Sequence, residues 1–172
     1  MPKQPAATIQ LEAYEDGVNY CGIAKVQLPS IVYPCVTIAG TGMMGNMEVP
    51  LYGMVDNMTT KIDWLSPTGD AVRLATPNKH MIELREAEEY WDTEQTEVGI
   101  WANKYVMIVR PKSFDPGGRA PMGAADANGE YVVYYFAGYR DGKQLWEVDK
   151  RNMKCVIMDK DYMADIRKAL GK

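Results

Sequence analysis

The sequence predicts a mainly β protein: a small antiparallel β-barrel or sandwich with one short helix and a C-terminal helix. Three observations lead there. Most of the chain divides into runs of alternating or continuous apolar residues, punctuated by Gly, Pro, Asn and Asp. Helical patterning is confined to two short stretches. Several of the strand-like runs are apolar on both faces, as in Tyr131-Val132-Val133-Tyr134-Tyr135-Phe136.

Taken in order, Thr8–Tyr14 and Val18–Ala24 read as strands joined through Glu15-Asp16-Gly17, where the glycine supplies a positive φ. Lys25–Leu28 and Ile31–Ala39 read as extended, with Pro29 and Pro34 placing them at edges or bends. Gly, Met and Asn then dominate up to Met58, and the reading is an extended loop or arm over about 40–64. Thr59–Leu65 reads as a strand. Ser66-Pro67-Thr68 offers a start for a short helix over Gly69–Ala75, which Pro77 ends. His80–Ala87 alternates like a half-buried strand, and Glu97–Val109 is a long strand with two apolar faces. Residues 112–128 are rich in Gly, Pro and Ala without a period, which predicts a flexible loop. Glu130–Arg140 and Lys143–Asp149 form a hairpin across Asp141-Gly142. The final helix runs from about Asp161 to Leu170, with Asp159 or Asp161 as cap and Gly171 as stop.

With 172 residues, 47% of them apolar, the chain fits a single domain over 1–172 with a real core. A formal net charge of −4 argues against a protein built to grip nucleic acid, which needs clustered Lys and Arg. Behind Met1-Pro2-Lys3-Gln4-Pro5 there is no apolar stretch, and no run approaches the ~18 residues that cross a bilayer. The expectation is a protein folded in a cytoplasm, without stable membrane association. Cys21, Cys35 and Cys155 lack any CxxC pair and read as reduced, partly buried small hydrophobes. Twelve Met and eleven Tyr stand against two Phe, which suits either a contact surface or an ordinary Met-using core.

No chemical motif holds up. Gly40-Thr41-Gly42-Met43-Met44-Gly45 spells GxGxxG, but Pro50 and Gly53 break the helix whose N-terminus a pyrophosphate would need. His80 is the only histidine, so it reads as a structural hydrogen-bonding residue. The run Glu86, Glu88, Glu89, Asp92, Glu94, Glu97 lacks the ligand spacing and sharp Gly turn of a calcium loop, and reads as a solvated face. Three serines sit in no GxSxG elbow. The expectation is no enzyme, no cofactor and no metal. Two-sided strands in a chain with so little helix imply that a second layer or a neighbouring copy covers them, which favours oligomerisation.

Near the N-terminus stand Gly17, Tyr20, Gly22, Ala24-Lys25-Val26 and Leu28-Pro29. Then come the spaced glycines Gly40, Gly42-Met43 and Gly45, and Trp64 closing a strand. Near the C-terminus stand Asp141-Gly142-Lys143, Leu145, Glu147, Asp149, Asn152-Met153, and finally Asp165, Arg167 and Leu170-Gly171. In order and spacing this set resembles the major tail tube proteins of contractile-tailed phages and related phage-tail-like bacteriocins. The likeness spans nearly the whole chain, with the least correspondence over about 77–128.

The resemblance implies a tail-tube type fold and a structural subunit of a contractile tail's inner tube. Hexameric rings would stack into a hollow conduit for DNA in a phage, or for ions in a bacteriocin, after sheath contraction. The implied partners are further copies of itself, the tail sheath protein, and the tape measure, baseplate hub and tail terminator proteins. DNA would be non-specific transit cargo. The implied location is a virion tail or phage-tail-like particle assembled in the bacterial host cytoplasm. Contacts between subunits are expected from the arm, through Gly42, Met43, Met44, Gly45, Val49, Leu51 and Met54. Some of Glu83, Glu86, Glu88 and Glu97 are expected to face the bore, where acidic groups repel phosphates over about 8 Å at physiological salt. The alternative is a monomeric β-barrel module binding a small molecule or carbohydrate through its Trp and Tyr.

Overall fold

The computed structural model describes residues 3–40, 42, 44–64, 68–92, 97–123 and 125–172. Strand accounts for 59% of the chain and helix for 7%, so the mainly β class holds. The elements are β1 (Lys3–Glu15), β2 (Asn19–Gln27), β3 (Cys35–Ile38), β4 (Met47–Pro50), β5 (Met58–Trp64), α1 (Gly69–Arg73), β6 (His80–Asp92), β7 (Glu97–Asp115), β8 (Ala127–Arg140), β9 (Lys143–Asp149), β10 (Lys154–Ile157), β11 (Lys160–Asp161) and α2 (Ala164–Ala169).

Nine strands form one antiparallel sheet in the order β11-β10-β9-β8-β5-β2-β1-β6-β7, and β7 also pairs with β8, so the sheet curls round. The inner side of the curl holds the core. Along β5, alternate residues Met58, Thr60, Ile62 and Trp64 turn inward, as a period of two requires. Ile82 and Leu84 of β6, Met107 and Val109 of β7, and Tyr131 and Val133 of β8 meet them from the other strands. Opposite Ile108/Val109 the ladder shifts, because Ile108 pairs with Tyr135 while Val109 pairs with Val133. Tyr134 is the extra residue, and the bulge reverses the facing of the strand so that Phe136 points inward and Tyr135 outward. That bulge is one reason β8 reads as apolar on both faces.

Gly138 lies under the Trp146 indole, where a Cβ would come within 2.3 Å of the ring. Its lack of a side chain lets Trp146 lie on the backbone and reach Phe136, 5.4 Å away between ring centres. Short α1 is capped by the Thr68 hydroxyl, which accepts from the Ala71 amide at 3.3 Å, and it seals one side of the core with Ala71 and Leu74. Asp161 sets the start of α2, accepting from the Met163 amide at 2.9 Å and pairing with Arg167 at 2.6 Å.

A buried polar unit ties α1 to the sheet. Glu15 at the end of β1 and His80 at the start of β6 are each almost fully buried, with His80 Nδ1 2.6 Å from Glu15 Oε1. Arg73 Nε donates to Glu15 Oε2 at 2.5 Å, and His80 Nε2 lies 3.0 Å from the Thr76 carbonyl oxygen. Burial alone would raise the Glu15 carboxyl, but the hydrogen bonds from His80 and Arg73 outweigh it and hold the group below its ordinary range. His80 is thus a structural hydrogen-bonding residue.

The structure moves several boundaries. The segment that stands away from the main sheet is the β3–β4 hairpin, whereas residues 58–64, expected inside an arm over 40–64, form β5 at the centre of the sheet. The loop expected over 112–128 is cut back at both ends, because β7 runs on to Asp115, β8 begins at Ala127, and the two stay paired as far as Asp115 opposite Asn128. Proline and serine in Pro111-Lys112-Ser113 lowered the apparent strand signal there, and the register shift between Pro111 and Ser113 is how the ladder absorbs the proline. The strands β10 and β11 and the N-terminal extension of β1 are additions.

Candidate assembly surfaces

Past the core, β1, β6 and β7 continue together as a three-stranded flap of residues 3–11, 86–92 and 97–103. β2 joins β1 only from Glu12 onward, and β8 ends with Arg140 opposite Asn103 of β7. Among the described residues, the outer edge of β1 over 3–11 and that of β7 over 97–101 therefore carry no backbone partner. Unpaired edges of this length are templates for another strand. The flap is also apolar where it meets water: Ile9, Trp91, Val98 and Ile100 are each about half exposed, and Trp91 stands directly across from Val98.

The opposite face of the flap is tied down by Arg140. Its guanidinium lies 4.3 Å from the centre of the Trp101 ring, donates from Nε to Asn103 Oδ1 at 2.9 Å, and pairs through Nη2 with Glu88 Oε2 at 2.8 Å. Trp101 stacks on Tyr90 at 4.6 Å, and Lys3 caps that ring at 4.3 Å. Asn103 Nδ2 donates to both Glu86 and Glu88, and the Tyr105 hydroxyl donates to Glu86 at 2.8 Å. Burial and then the Glu86 carboxylate push the Tyr105 phenol up.

The four acidic residues singled out from the sequence do not share one face. Glu86 and Glu88 sit half-buried in this network on the core side of β6, and Glu97 is exposed near the end of the hairpin. Glu83 points the other way and is buried beneath Arg85, at 2.7 Å, and Lys104, at 3.1 Å. Burial would raise its carboxyl, but those two cations hold it below the usual range.

Most of the expected arm residues lie in or beside the second sheet, the β3–β4 hairpin, whose strands pair only with each other. Met44 is fully exposed at its tip between Gly42 and Gly45, both with positive φ. Val49 is half-buried, and Leu51 and Met54 are exposed. Met43 lies outside the described residues. Exposed Val36, Ile38 and Met47 add to this surface; Met47 falls within the expected arm, whereas Val36 and Ile38 belong to the run holding Pro34, which reads as an edge rather than a projection. A lone two-stranded hairpin is marginal in water, so this one needs a cover. At its base the Leu51 amide donates to the Pro34 carbonyl at 2.8 Å. There Gly53, at φ +71°, packs so close to Met163 and the Tyr162 carbonyl that a Cβ would meet them at 2.7 and 2.9 Å.

Unpaired sheet edges, an apolar flap and an unsupported apolar hairpin on a well-filled β core define a class of protein: a structural subunit whose surface is finished by other molecules. The chain belongs to the phage tail tube protein FII family, whose model matches residues 5–171. It is 28% identical over 168 residues to the tail tube protein of Escherichia phage P2, covering 94% of each chain. It is accordingly a structural component of a virion tail, not an enzyme. No helix among the described residues is long and apolar enough to cross a membrane.

Proposed function

We propose that this subunit builds the inner tube of a contractile tail, closing into rings of six that stack into a hollow conduit. The observation that carries the reading is the flap with two free edges. One edge is the outer side of β1 and the other the outer side of β7, so each copy can give one edge and receive the other. Such a head-to-tail joint closes into a ring when the rotation allows. The half-exposed Trp91, Val98 and Ile100 would be covered as the ring forms. Burying apolar area contributes about 25 cal/mol per Å² before association costs are subtracted.

The arm residues Gly42, Met43, Met44, Gly45, Val49, Leu51 and Met54 would then contact a neighbouring subunit. Since β6 sends Glu83 to one face and Glu86 and Glu88 to the other, a bore lined by one face takes either Glu83 or the Glu86, Glu88 and Glu97 group. The conduit would pass DNA in a phage, or ions in a bacteriocin, after an outer sheath contracts. The sheath, tape measure, baseplate hub and terminator proteins would be its tail partners. Negative-stain imaging of the purified protein tests the reading. Hollow rods with six-fold end views are expected, and a single subunit that persists at high concentration overturns it.

A further inference from the structure

The arm leaves a groove at its own base. Tyr33, Leu51 and Tyr52 from the arm side and Ile157 and Tyr162 from β10 and the turn before α2 enclose about 320 Å³ there. We propose that this groove receives the arm tip of a second copy, with Met44 seated among the three tyrosine rings. The inference rests on the reading of the chain as a tube subunit, and it names the surface that the arm meets.

The tip and the groove match in chemistry. Gly42, Met44, Gly45 and Asn46 are uncharged, and none of the groove's lining side chains carries a charge. The larger depression across β1, β6 and β7 has Glu12, Arg85, Glu86 and Lys104 on its walls. A neutral tip filling it would strip water from charged groups without offering them partners, which is costly. Methionine sulfur against aromatic edges is favourable, and the flexible thioether fits an irregular slot. Tyr52 and Tyr162 already stand edge to face at 5.6 Å, so the wall is built before anything enters.

The occupant has to be another copy. Met44 lies beyond the far end of the four-pair ladder, six residues and up to about 20 Å from Pro50 at the base of its own hairpin. A tip cannot fold back that far while the ladder stays intact. Each chain thus offers one tip and one groove in different places, a head-to-tail contact that passes from copy to copy.

Pairs of cysteines read the contact directly. In a Cys35→Ser background, which removes the exposed native thiol, the variant Met44→Cys/Tyr52→Cys is oxidised under assembly conditions. A second pair, Met44→Cys/Ile157→Cys, probes the other wall. The expected result is a ladder of dimers, trimers and larger species holding most of the chain, collapsed by reductant and missing from each single variant. If the unsubstituted protein forms rods while both pairs stay monomeric, the docking proposal is wrong and the tube reading stands. Cross-linking of the Met44→Cys single variant, tip to tip, overturns it equally. If the unsubstituted protein forms no rods at all, the tube reading fails and takes this proposal with it.

Discussion

Replacing Glu15 by Gln tests the buried link between α1 and the sheet. In the native subunit the carboxylate takes His80 on one oxygen and Arg73 on the other, at 2.6 and 2.5 Å. A neutral amide of the same shape keeps one acceptor and turns its NH₂ towards a donor. Hydrogen bonds to charged groups are worth about 1.5–3 kcal/mol each, and stripping one partner from a buried pair costs about 3–5 kcal/mol. Arg73 is 43% exposed in its side chain and can return to water, so the lower part of that range applies. We expect a loss of about 2–3 kcal/mol at pH 7. With a urea slope of about 2 kcal/mol per M, the midpoint falls by about 1–1.5 M. The measurement is urea unfolding of the subunit at concentrations below assembly, since association would add its own stabilisation. The folded Glu15 carboxyl is depressed, so its contribution is complete above the unfolded value and disappears as pH falls through the folded one. The gap between wild type and Glu15→Gln should therefore begin to narrow as pH enters the ordinary carboxylate range and close only below it, past the depressed folded value. A gap under about 0.5 kcal/mol at pH 7, or one that survives in acid, refutes the reasoning.

Leu84→Ala opens a void at a fully buried site and should cost about 2–5 kcal/mol by the same unfolding assay. Gly138→Ala drives a methyl into the Trp146 ring, so we expect about 1–3 kcal/mol of destabilisation together with a changed tryptophan emission spectrum. Ile100→Glu lies on the exposed face of the flap and should leave subunit stability within about 0.5 kcal/mol while abolishing rods in negative stain. Arg140→Ala removes the clamp on the flap, and amide exchange over residues 86–92 and 97–103 should quicken while that of the β5 core stays unchanged.

The sequence revealed most of the fold through local signals. Asp141-Gly142 marked its hairpin, Thr68 stood before α1, and the alternation of His80–Ala87 gave the inward set Ile82 and Leu84. It was poorest where pairing is long-range. The flap's part of β1 begins Lys3-Gln4-Pro5, which looks like a polar tail, and only the ladder to Trp91 and Tyr90 makes it a strand. Residues 58–64 were drawn into the arm by the Gly- and Met-rich stretch before them, although Thr59–Leu65 showed strand character. Composition pointed to covered surfaces, yet it could not say which edges are bare, since that depends on where β2 and β8 stop. The acidic residues illustrate the same limit. Neighbours along the chain looked like one patch, and a period of two separates Glu83 from Glu86 and Glu88.

One property of the flap reaches beyond the subunit. β1 and β7 each run antiparallel to β6, so they run in the same direction as each other. Copies brought side by side in one orientation therefore meet as parallel strands, whereas an upside-down copy would present the reverse sense and a different spacing of donors and acceptors. Whatever lattice this edge enters, it carries an arrow, and each newcomer must agree with it before it can stay.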